Sequence, residues 1–212
     1  RRPKPDQSPY ESVEAGYASC TGLSVLLIDA CRAVCVPARM VGTPLWSDRS
    51  GNHSWVEVWD GGWRYTGAAE PAELDKAWFT GKAAAARASH PAHRIYATSF
   101  ARTGRPFPLI WDLRVRYVPA VDVTHFYTTR REVAFHVTDK PGGRPAGALL
   151  TIRHAGRIVA RAAVDGTATL ILAGGLTYQL QAKAPDGSQT VEQTVSASAE
   201  ADQVVEVPLK IR

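Results

Sequence analysis

The stretch Asn52-His53-Ser54-Trp55-Val56-Glu57-Val58-Trp59 alternates, with Trp55, Glu57 and Trp59 on one side and Ser54, Val56 and Val58 on the other. A period of two over this length predicts a β-strand over 53–59. Gly61-Gly62 supplies a turn, and a second strand is predicted over 63–66. Upstream, residues 37–44 read as a further strand. Before them Leu23, Leu26, Leu27, Ala30, Cys31 and Val34 recur at helical spacing, so a helix is predicted over 21–34, stopped by Pro37. What precedes it reads as a flexible start. Two more helices are predicted over 73–78 and over the alanine-rich 82–88. A helix followed by antiparallel strands defines an α+β core.

The chain changes character near residue 120. All three cysteines and all six tryptophans fall in 1–120, and 121–212 holds neither. The second half instead runs in short stretches over 132–138, 148–154, 157–164, 168–172, 177–184, 190–196 and 203–211. Lys140-Pro-Gly-Gly, Ala155-Gly, Asp165-Gly, Ala173-Gly-Gly and Pro185-Asp-Gly-Ser separate them. Six or seven strands at this spacing predict an all-β sandwich. The expected organisation is therefore a core over 1–120 and a β-sandwich over 121–212.

Composition excludes several classes of function. The 212 residues carry 25 Lys and Arg against 20 Asp and Glu, a formal net charge of +5. The densest basic run, Arg87, Arg94, Arg102, Arg105, Arg114 and Arg116, is scattered and not interleaved with aromatics, so no nucleic-acid partner is expected. No stretch approaches about 18–20 apolar residues, so no membrane insertion is expected. The opening Arg1-Arg2-Pro3-Lys4 has no apolar segment and no initiator Met, which marks an expected piece of a longer chain. The spacing of Cys20, Cys31 and Cys35, without a nearby His pair, is a poor zinc site, and neither metal nor cofactor is expected. Cys31 and Cys35 read as small buried hydrophobes. His125, His136 and His154 stand apart from any nucleophile and read as surface or strand-face histidines. Trp55, Trp59 and Trp63 read as sheet packing, with lining of the cleft as the alternative for any one of them; Glu57 reads as structural, and Asn52 as a loop residue beside the strand that could donate a hydrogen bond in the cleft.

Cys20 stands at the start of the first predicted helix, in Gly16-Tyr-Ala-Ser-Cys-Thr-Gly22. Unpaired backbone N–H groups and the positive end of the helix dipole favour a thiolate there. Such a setting, with a His⁺ alongside, brings a cysteine pKa from about 8.5 to roughly 3.5–7.5. A strand opening at His53 and packed beside this helix would hold the imidazole within reach of the sulfur, which makes Cys20 and His53 a candidate nucleophile and base.

Three segments in this order resemble the transglutaminase-like superfamily. They are Gly16-x-x-x-Cys20 with a helix closing on Val36-Pro-Ala-Arg39, then Asn52-His-Ser-Trp-Val-Glu-Val58, then Gly62-Trp-Arg-Tyr65. The resemblance covers residues 15–80. It implies a papain-like core, Cys20 as nucleophile, His53 as base and a peptide or protein substrate. The family's strand is followed by an Asp four residues after its Trp, and that position here is Gly67. Glu70, in Gly67-Ala-Ala-Glu-Pro71, precedes a proline as the family's Asp does, so a local bulge assigns it the orienting role; Asp60 is the alternative. Bacterial relatives resemble this chain in the Gly-Ala-x-Glu-Pro segment followed by a Trp-Phe stretch, here Lys76-Ala-Trp-Phe79. The second half resembles transthyretin-like or immunoglobulin-like modules of extracellular bacterial enzymes. That implies a secreted, periplasmic or cell-surface protein whose sandwich contacts a protein or glycan. The expected reaction is hydrolysis of a peptide or amide; protein cross-linking through glutamine, or a non-catalytic scaffold keeping the fold, are the alternatives.

Overall fold

Two helices lead the chain in the computed structural model, which describes residues 2, 4–110 and 112–209. The first, α1 (Pro9–Ala15), begins at a reciprocal cap: Ser8 Oγ accepts Glu11 N–H at 3.3 Å and Glu11 Oε2 accepts Ser8 N–H at 2.7 Å. The expected flexible start is thus partly helical, and the Ser-x-x-Glu spacing is the sequence signal for it. The second, α2 (Cys20–Ala33), is capped by Ser19, whose Oγ accepts Gly22 N–H at 3.1 Å. Its buried residues are Thr21, Gly22, Ser24 and Ile28, whereas Ala30 and Val34 of the expected stripe are exposed. Small side chains on the first turns let the helix approach the sheet closely, and the larger ones sit beside the contact.

That sheet contains β1 (Ala38–Thr43), β2 (His53–Trp59), β3 (Trp63–Thr66), β4 (Tyr96–Thr98) and β5 (Ala120–Asp122) in the order β3-β2-β1-β4-β5. β1 and β2 run antiparallel from Ala38↔Val58 to Thr43↔His53. Five of the seven residues of β2 are buried because both of its faces are covered. Val56 and Val58 pack with Ile28 and Ala38 on the helix side. Trp55 packs on the other side with Trp46, Tyr65, Phe79 and Tyr127. The predicted helix over 73–78 does not form. Asp75 takes a left-handed φ of 63°, and its carboxylate accepts Tyr65 N–H at 3.0 Å, which ties this segment to β3 instead. The next helix, α3 (Thr80–Ala84), is shorter than the expected 82–88.

The chain divides into two compact units, Arg1–Asp60 with Arg64–Thr128 and Gly61–Trp63 with Thr129–Arg212. The main break therefore falls after Thr128, not at the expected 120. The reason is local: β5 pairs with β4, and α4 (His125–Thr128) buries Tyr127 in the Trp55 cluster.

The second unit holds β6 (Arg130–Thr138), β7 (Gly147–His154), β8 (Arg157–Asp165), β9 (Thr167–Ala173), β10 (Thr177–Lys183), β11 (Thr190–Ser196) and β12 (Gln203–Pro208). They form a four-stranded sheet, β11-β10-β7-β8, and a three-stranded one, β12-β6-β9. The strand expected over 203–211 ends at Pro208, and residues 210 and 211 lie outside the described residues. Gly166, in the β8–β9 turn, has a φ of 82° that favours glycine. Alternate residues are buried, Val133, Phe135 and Val137 on β6 and Tyr178, Leu180 and Ala182 on β10. Tyr178 is fully buried, and its hydroxyl accepts Ala173 N–H and donates to Ala173 O, both at 2.9 Å. Burial raises its pKa to about 12. Tyr178→Phe leaves these backbone groups without their hydroxyl partner and should cost roughly 1–3 kcal/mol. Thermal unfolding checks this; an unchanged midpoint would mean that the hydroxyl contributes nothing.

Candidate active site

Cys20 is the first residue of α2, beside the Ser19 cap, and its thiol is partly exposed. Ser19 Oγ both caps the helix and donates to Pro5 O, so the turn that carries the cysteine is held from two sides. Ser24 Oγ donates to Cys20 O at 2.7 Å. One residue along, Thr21 Oγ1 donates to Ser54 Oγ at 3.3 Å. That bond joins the N-terminus of α2 to the second residue of the strand that His53 opens. The elements carrying Cys20 and His53 are thus brought together, with Ser54 facing the helix and the His53 ring on the Trp55 face of the strand. Among the described residues no hydrogen bond links the thiol to the imidazole. Catalytic contacts are often long before substrate binds.

His53 sits among aromatic rings. Ring centroids of Trp78, Phe79, Trp55 and Trp46 lie 4.9, 5.0, 5.8 and 6.0 Å from its own, with Trp55 stacked at 25°. Burial lowers its pKa to about 4. The imidazole is therefore neutral at neutral pH, which replaces the expected His⁺ beside the thiol by an uncharged base. A shallow depression is lined by His53 itself together with Thr43, Asn52, Ser54, Phe107 and Ile110.

Glu70 is not hydrogen-bonded to His53. Its Oε2 accepts the Trp78 backbone N–H at 3.2 Å, and its own N–H donates to Gly67 O at 3.1 Å. A Cβ at residue 67 would lie 2.9 Å from Glu70 Cγ, so the Glu70 side chain fills the space that a side chain at 67 would enter. Gly67 and Glu70 are thus matched to each other. Asp60 ends the hairpin side of β2, far along the strand from His53.

The sequence carries only part of the signal for what surrounds the histidine. Trp78 and Phe79 had a signal, the Trp-Phe stretch, but Trp46 had none beyond its residue type. Behind Trp55 lies a buried polar chain: Trp55 Nε1–H donates to Tyr127 OH at 2.9 Å, Tyr127 OH to Glu57 Oε1 at 2.6 Å, and Arg39 Nε to Glu57 Oε2 at 2.6 Å. Burial, with the neighbouring Glu57 carboxylate, holds the Tyr127 pKa well above its usual value. Glu57 is structural, as its place in the alternation suggested. Gln7, fully buried, spends its amide N–H groups on Glu11 O and Tyr17 O, anchoring α1 just upstream of Cys20. Cys20, Cys31 and Cys35 are all free; Cys31 is half-buried, and Cys35, expected to be buried, is exposed at a left-handed φ of 62° past the helix end. Among the described residues no group of three or more His, Cys, Asp or Glu side chains is placed to share a metal ion. No helix among them is long and apolar enough to cross a membrane.

The family model of the transglutaminase-like superfamily matches residues 1–68, roughly a third of the chain. This segment is therefore assigned to the transglutaminase-like superfamily. The match contains Cys20, His53 and Gly67 and ends before Glu70. No curated protein matches the chain.

The aromatic surroundings make His53 a pH-dependent liability. Folded, it titrates at about 4; unfolded, near 6.5. Between those values the unfolded chain binds the extra proton, so its contribution to stability is full above about 6.5 and is lost as pH falls towards 4. Urea midpoints measured from pH 7 to 4 should fall, and His53→Asn should flatten that part of the curve. A slope unaffected by His53→Asn would show that the ring is not buried as described.

Proposed function

We propose that the chain catalyses thiol-dependent acyl transfer on a peptide or protein amide, with hydrolysis as the outcome. The observation that supports this most is the Thr21–Ser54 hydrogen bond, which seats the helix start carrying Cys20 at the end of β2 carrying His53. The superfamily match is compatible with it. Cys20 Sγ attacks the amide carbonyl carbon while the neutral His53 ring accepts the thiol proton. The oxyanion faces backbone N–H groups at the start of α2, where one such donor is worth about 3–4 kcal/mol in comparable sites. Collapse of the tetrahedral species breaks the C–N bond, and the imidazolium returns the proton to the leaving amine. Water then attacks the thioester carbonyl, giving its proton to His53, and Cys20 leaves as the thiol once the ring reprotonates it. A partly exposed thiol gives water access to the thioester.

In the same reading the first unit is a papain-like core, and Glu70 is the third functional side chain of the site. The seven strands of the second unit would form a β-sandwich of transthyretin-like or immunoglobulin-like kind that contacts a protein or glycan. Secretion, or a periplasmic or cell-surface location, accompanies that assignment. A non-catalytic reading has one observation in its favour: the His53 ring has no hydrogen-bond partner among the described residues.

Cys20→Ala should abolish release of amine from peptide amides and leave the thermal midpoint nearly unchanged, because the thiol fills no core space. Incorporation of a labelled primary amine in place of water would identify transfer over hydrolysis. Amide cleavage that survives in Cys20→Ala would contradict the assignment.

A further inference from the structure

The segment between β3 and α3 is fastened at both ends to one tyrosine. Asp75 N–H donates to Tyr65 O at 2.8 Å, the Asp75 carboxylate accepts Tyr65 N–H, and Tyr65 OH meets Thr80 Oγ1 at 2.9 Å. Thr80 Oγ1 in turn accepts Ala77 N–H at 3.2 Å. Trp78 lies between these anchors, and the acceptor of its backbone N–H is Glu70. Its indole is 61% exposed, yet its centroid is nearer to the His53 ring than those of Phe79, Trp55 or Trp46. Its other ring neighbours are Trp46, edge-on at 6.4 Å, and the adjacent Phe79 at 5.8 Å. The Glu70 carboxylate, for its part, has no cation partner among the described residues.

We propose that Glu70 is a positioning residue that acts through Trp78: its carboxylate holds the Trp78 backbone so that the indole covers the outer side of the His53 ring. It does not orient the imidazole by a direct hydrogen bond. This rests on His53 being the base of the proposed reaction, but the latch itself is a property of the folded chain. Gly67 belongs to the device, since a Cβ there would push the Glu70 side chain out of its place.

The two roles for Glu70 separate in Glu70→Gln. Glutamine keeps a carbonyl oxygen that can accept the Trp78 N–H but carries no charge. In the intact 212-residue chain, the His53 C2–H titration followed by NMR has an expected wild-type midpoint of about 4. Glu70→Gln should leave it within about 0.3 unit. Glu70→Ala and Trp78→Ala should raise it by about one unit or more, because water reaches the ring and relieves its desolvation. Turnover should be roughly tenfold lower for Glu70→Ala and Trp78→Ala as the base loses its placement.

A fall in the midpoint in Glu70→Gln, with turnover lower by orders of magnitude, would overturn the proposal in favour of a direct carboxylate–imidazole pair. A Glu70→Ala midpoint that stays put while that of Trp78→Ala rises would overturn it as well, because Trp78 would then keep its place without Glu70. The midpoints do not depend on activity. If they move as expected while wild type and Cys20→Ala show the same turnover, the latch stands and the acyl-transfer reading falls. Both Glu70 and Trp78 lie on an exposed segment, so the variants are expected to fold.

Discussion

Burial of β2 on both faces is the constraint from which the rest of the first unit follows. Side chains of a strand alternate, so one seven-residue segment must satisfy two different neighbours. On one side Ser54, Val56 and Val58 receive α2, with the small Thr21 meeting Ser54 at the helix start. On the other, Trp55 and Glu57 receive the aromatic cluster and the Tyr127–Arg39 chain of hydrogen bonds. A shift of one residue in the β1–β2 register would turn Glu57 towards the apolar side of α2 and Val56 towards Arg39 and Tyr127. The cross-strand pair Arg39↔Glu57 opposes that shift, because a buried carboxylate without its partner is costly. His53, at the open end of the same strand, inherits its place from this arrangement.

The chemistry of the site follows from what surrounds that end. A histidine facing a carboxylate gains charge; one facing four aromatic rings loses it. His53 is of the second kind, and its lowered pKa keeps the ring available to accept a proton at neutral pH. Stacking on Trp55 restricts the tilt of the ring, and the Tyr127 hydroxyl in turn restricts Trp55. In the proposed reading, orientation of the base is distributed over packed rings and needs no Asp at position 67.

The parts of this structure that depend on short-range pattern were legible in the sequence. β2, β3 and β11 have the expected bounds because alternation and flanking turns specify them locally. The cap at Ser8 was equally local and was passed over. What depends on distant partners was not legible. Residues 73–78 have good helical composition, but Asp75 is captured by Tyr65, ten residues earlier. β4 and β5 are three residues each, too short to carry a period, and exist because they pair with β1 and with each other. The same limit applies to the site. Cys20 and His53 could be read from their neighbours in sequence, together with the family resemblance. That Glu70 reaches Trp78, and that Trp46 lies beside His53, are facts of three-dimensional packing.

The measurement that bears most directly on the account is the mass of the intact chain quenched in acid after mixing with p-nitrophenyl acetate, an activated ester that acylates reactive thiols. The account predicts a single acetyl group, mapped to Cys20, labile to hydroxylamine and accumulating far more slowly in His53→Ala. Acetylation spread over Cys31 and Cys35, or equal rates with and without His53, would contradict it.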